Sequence, residues 1–110
     1  MARRKKTTPD APSPRFGEWL RSLREKKQLP LRVVAAAAEM DQAHLSKVEL
    51  GQRLLTAAQA SAIAKFFKID KNETAARLIA ERFRIEHAGN PAAVQAINML
   101  HEEAPIYGAK

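Results

Sequence analysis

The stretch Asp41-Gln42-Ala43-His44-Leu45-Ser46-Lys47-Val48-Glu49-Leu50-Gly51 does most to limit what this chain can become. Aspartate caps helix starts and glycine stops helices. The stretch therefore predicts a short helix over 42–50. Leu45 and Val48, three residues apart, give that helix an inward side. Gln42, Ala43, His44 and Lys47 remain outward. These are small, amide, imidazole and amine side chains, a set that fits the DNA major groove.

The residues before it predict a second helix at a tight turn. Pro30 or Leu31 suits a helix start, and Val33 to Ala38 continue it. The run Ala35-Ala36-Ala37-Ala38 has side chains so small that another helix can cross close by. Glu39-Met40-Asp41 is the turn. Two helices joined in this way form a helix-turn-helix, in which the first crosses the DNA backbone and the second enters the groove.

Further elements follow from periodicity and caps. Helix 1 is expected from Arg15 to Lys27, with Phe16, Leu20 and Leu23 on one face, and Leu29-Pro30 ends it. Thr56 caps helix 4, which runs to Phe67. Asp70 with Glu73 reads as a capping box for helix 5, which extends to His87 and stops at Gly89. Asn90-Pro91 opens helix 6, expected to Glu102 with Val94, Ile97 and Leu100 inward. Ala104 to Lys110 read as frayed. No strand of any length is predicted.

Charge is distributed unevenly. Residues 1–27 hold nine Lys/Arg against three Asp/Glu, whereas residues 70–110 hold five against six. The front of the chain therefore attracts a polyanion. Nucleic acid suits it better than an anionic membrane, because no aliphatic stripe adjoins the basic arm. Residues 1–14, with Arg3, Arg4, Lys5, Lys6 and three prolines, read as a flexible arm. A solubilising tail and a phosphate contact through Arg3 and Arg4 both fit it. Arg21 and Arg32 are further candidate phosphate contacts.

Other classes are disfavoured. The chain has no cysteine, which removes disulfides, a Cys-ligated zinc site and a thiol nucleophile. No apolar run is long enough to span a bilayer, and the basic N-terminus lacks the apolar segment of a secretory signal. A reducing, cytoplasmic setting is expected. His44, His87 and His101 fall in three different helices. A zinc-type HExxH pattern starting at His101 is broken by Pro105. No catalytic set, metal site or cofactor is implied.

Taken together, Leu20, Leu23, Arg24, Lys27, Leu29, Ala35, Gln42, Leu45-Ser46-Lys47, Val48-Glu49 and Gly51 resemble the phage-repressor type (Cro/C1, XRE) helix-turn-helix family. The likeness runs from Phe16 to Ile69. It implies an all-α fold: a five-helix repressor-like DNA-binding domain, here with an additional C-terminal helix. It further implies operator binding, mostly by dimers, and transcriptional regulation. At matching positions, Gln42, Ala43, His44 and Lys47 would contact bases or nearby phosphates. Gly51 and Arg53 would form a phosphate-contacting loop, and Arg24 with Glu49 a structural salt bridge. The chain departs from the pattern at Leu31, where glutamine is frequent, at Glu39, where glycine is usual, at Leu50, where arginine or a polar residue is frequent, and at the bulky Trp19.

The expected organisation is an arm over 1–14, a helix-turn-helix domain over 15–88 with its turn-containing unit at 31–51, and a C-terminal helix and tail over 89–110. Surplus apolar residues point to a homodimer with Phe83, Val94, Ile97 and Leu100 in its interface. A palindromic operator would follow from two-fold symmetry. Two other readings are an antitoxin that binds a toxin and autoregulates its operon, and a protein-interaction domain that has lost DNA binding.

Overall fold

A computed structural model describes residues 14–108 and shows six helices and no strand among them. They are α1 (Phe16–Lys26), α2 (Leu31–Ala37), α3 (Gln42–Glu49), α4 (Ala57–Phe67), α5 (Lys71–His87) and α6 (Ala92–Gly108). The boundaries of α1 to α5 fall within a residue or so of the sequence expectation. Arg3 and Arg4 lie outside the described residues.

The core is built from one side of each of the first five helices. Phe16 and Leu20 of α1 meet Val34 of α2, Leu45 and Val48 of α3, Ile63 and Phe67 of α4, and Leu78 of α5. Leu55, in the loop before α4, closes the same cluster. The alanine run behaves as its size predicts. Ala35 and Ala38 are buried, and α2 lies against both α3 and α4. Trp19 packs on the core edge against Phe16, and the Arg77 guanidinium stacks over its ring at 4.7 Å. The bulky side chain thus joins α1 to α5.

Two capping expectations are corrected. Asp41 occupies the capping position of α3, but its carboxylate accepts no hydrogen bond from the first turn. Asp70 does cap α5, accepting from the Asn72 N–H at 3.2 Å. Glu73 does not complete a box there, because its carboxylate is taken by Arg77 at 2.9 Å and 3.1 Å. The Thr56 cap is complete: its hydroxyl accepts from the Gln59 N–H, and the Gln59 carbonyl oxygen accepts from the Thr56 N–H.

The largest correction concerns α6. It does not end at Glu102 but runs on through Pro105 to Gly108. Proline's fixed φ is helical, so the chain forfeits one backbone hydrogen bond and continues. Nor do Val94, Ile97 and Leu100 face a core. They are 66%, 50% and 47% exposed, and α6 shares no substantial interface with α1–α5.

Candidate nucleic-acid interface

The placement of α3 begins with a glycine. Gly17 on α1 has no room for a side chain, because a Cβ there would collide with the backbone carbonyls of Val48 and Glu49. The two helices therefore cross at backbone contact. Leu45 and Val48, both fully buried, set the face that α3 turns inward.

An ion pair fixes the rotation. Arg24 on α1 donates to both carboxylate oxygens of Glu49, at 2.7 Å and 2.9 Å. Its remaining terminal nitrogen donates to the Leu29 carbonyl at 2.9 Å. The hydrogen bond to Glu49 holds the Arg24 pKa above its ordinary value, against the opposing effect of burial. The residues matching the family's structural pair are thus in contact.

With that seat fixed, Gln42, Ala43 and Lys47 are exposed, and His44 is half-buried. A concavity beside them collects Glu39, Met40, Asp41, Ala43, His44, Lys47, Arg53 and Gln59. Arg53 arrives there from the loop after α3. That loop turns at Gly51, whose φ of +81° suits glycine. The Gly51 N–H returns to Val48 and the Gln52 N–H to Lys47, closing the helix end. Gln59 is held in place by the Thr56 cap and was not anticipated. Its only signal is the capping-box spacing, three residues after Thr56. Two carboxylates, Glu39 and Asp41, also border this concavity.

The other phosphate candidates are placed differently. Arg32 is exposed on the first turn of α2. Arg21 is exposed on α1 and bonded to Glu25 at 2.9 Å. Leu31, where a polar anchor is frequent, instead packs partly buried against the core. Leu50 is 63% exposed at the end of α3. Phe83 is half-buried on α5, beside the His87 ring.

A second network escaped the sequence reading. Glu81 of α5 is buried, and its carboxylate accepts from the Phe16 N–H at 3.1 Å, from Arg84 at 2.8 Å and from Arg15 through Nε and Nη2. It therefore caps the start of α1 from another helix, where the helix dipole favours an anion. Arg15 holds the Glu81 carboxyl down at about 2 against the opposing effect of burial, with help from the Phe16 N–H and Arg84. Nothing in the sequence links residues so far apart.

Among the described residues, no group of histidines and carboxylates could hold a metal ion, and no helix is long and apolar enough to cross a membrane. Residues 15–76 match a family model described as a helix-turn-helix domain, of the kind typical of Cro/C1 (XRE) regulators. A search of the curated proteins gave no match.

Proposed function

The chain belongs to the helix-turn-helix domain family, a DNA-binding regulatory class of the Cro/C1 (XRE) type, and on that premise we propose that it is a sequence-specific repressor. In this reading it binds a palindromic operator as a homodimer, with α3 in the major groove. The observation that carries the reading is the outward face of Gln42, Ala43, His44 and Lys47 on a helix braced by Arg24 and Glu49. Amide side chains read adenine edges, and an alanine can meet a thymine methyl. Arg32, Arg53 and the turn at Gly51 supply phosphate contacts, and Arg3 and Arg4 of the arm add attraction without sequence information. Two-fold symmetry sets the two α3 helices one DNA turn apart, roughly 34 Å. Residues 15–88 act as the DNA-binding unit and 89–110 as the dimerisation element.

The test is binding of the purified chain to the DNA upstream of its own gene, against a random duplex, at about 150 mM salt. Equal affinity for both would sink the proposal. Replacing Gln42, His44 and Lys47 together by alanine should abolish discrimination and leave weaker, salt-dependent binding. Full discrimination by that variant would reject this reading face.

A further inference from the structure

α4 contributes one polar side chain to the concavity beside α3. Gln59, on the first turn of α4, lines it together with Ala43, His44, Lys47 and Arg53. The capping box decides what that side chain can offer. The Gln59 side-chain carbonyl oxygen accepts from the Thr56 N–H at 2.9 Å, and the Gln59 backbone N–H donates to the Thr56 hydroxyl at 3.1 Å. The side chain is therefore held in one position, half-buried, with its oxygen in use. Its amide nitrogen, which carries two N–H donors, has no acceptor among the described residues. A free glutamine pairs with an adenine edge through its oxygen and nitrogen together. With the oxygen committed to the cap, Gln59 presents donors.

The surroundings indicate which acceptors suit them. Lys47 and Arg53 line the same concavity and form no ion pair among the described residues. Glu39 and Asp41 also border it, so these formal charges balance. An acceptor there gains from directed N–H groups more than from net charge. On a duplex, most hydrogen bonds from protein go to phosphate and sugar oxygens, and glutamine amides are among the groups that make them.

We propose that Gln59 donates its amide N–H to a DNA phosphate oxygen, beside Arg53, and so ties α4 to the duplex that α3 enters. The contact rests on the operator-binding reading and adds a second helix to it. It carries no sequence information, but it fixes the register in which α3 meets the bases. The Thr56 cap thus both starts α4 and aims the donor.

The experiment titrates the full chain against the DNA upstream of its own gene and against a random duplex, for wild type and two variants. Gln59→Glu keeps the capping oxygen, since glutamate also serves that position of a capping box, and puts an anion where the donor stood. Ala57→Glu adds the same charge to the same turn, at an exposed position on the groove between α4 and α5, outside the concavity. Gln59→Glu should weaken binding to both duplexes about tenfold or more and leave their ratio unchanged, whereas Ala57→Glu should weaken neither by more than about threefold. Equal losses in the two variants would show that added charge alone acts, and would overturn the contact. So would unchanged binding by Gln59→Glu, or a loss confined to the upstream DNA, which would make Gln59 a base reader. A wild-type chain that binds the two duplexes equally overturns the operator reading alone, and the loss on the random duplex still decides the contact. Thermal unfolding of each variant, expected close to wild type, separates lost contact from lost folding.

Discussion

Arg24 and Glu49 are joined by two parallel hydrogen bonds across α1 and α3, with only 14% and 6% of their side chains exposed. A pair this buried is an orienting device more than a source of stability, because desolvation offsets much of its attraction. Together with Gly17 and the buried Leu45 and Val48, it leaves α3 one way to sit. Glu49→Ala strands the Arg24 charge and should destabilise the domain by about 3 kcal/mol. In thermal unfolding that is a fall of roughly 10–20 °C. Arg24→Met with Glu49→Leu should recover most of the stability yet lose operator discrimination. Wild-type discrimination in that double variant would remove the orienting role.

Gly17→Ala sets two effects against each other. Helix propensity alone favours alanine by about 1 kcal/mol. The added Cβ, however, runs into the Val48 and Glu49 carbonyls, which are backbone and cannot swing aside. Overpacking of this kind costs about 1–3 kcal/mol, so the steric effect should win. The expected result is a lower melting temperature and weaker DNA binding, as α3 is pushed from its seat. A rise in melting temperature would show that the crossing has slack.

The first five helices were legible because their signals are local. Spacings of three and four residues define the buried faces, and Thr56, Gly51 and Pro30 mark the ends. What was missed depends on distance or on competition. Glu81 caps a helix that begins 65 residues earlier, and no local pattern announces that. Glu73 has the right spacing for a capping box, but Arg77 one turn on takes its carboxylate. Val94, Ile97 and Leu100 have the spacing of a core face, and spacing alone does not say whether the rest of the chain folds against it. On α3, the outward set followed from Leu45 and Val48 being inward. Gln59 comes from another helix and needed the tertiary fold.

Glu39 stands in the turn with φ +55°, a left-handed conformation that is unfavourable for a residue with a Cβ. Glu39→Gly should remove that strain and stabilise the domain by about 1 kcal/mol. Glu39→Gln keeps the Cβ and should leave stability close to wild type. Both remove a carboxylate from the concavity beside His44 and Lys47, so both should tighten DNA binding at low salt. Denaturant unfolding and binding titrations on the two variants separate strain from charge. Equal stability of the glycine and glutamine variants would show that the turn carries no strain.

Glu81 makes the domain acid-sensitive in a defined window. Its carboxyl is held at about 2 in the folded chain, chiefly by the hydrogen bond from Arg15, against an ordinary value of 4.5 when unfolded. The unfolded chain therefore binds the proton first. Stability from this group is complete above about pH 4.5 and is lost as pH falls towards about 2. The difference corresponds to roughly 2–3 kcal/mol, with the lower figure allowing for the half-exposed Arg15. Glu81→Gln keeps the shape but leaves Arg15 and the Phe16 N–H without their anion. At pH 7 it should be less stable by about that amount, and its stability should vary less between pH 5 and pH 2 than that of wild type. Denaturant unfolding of both proteins across that range gives the comparison. Parallel pH profiles would mean that another carboxylate controls acid unfolding.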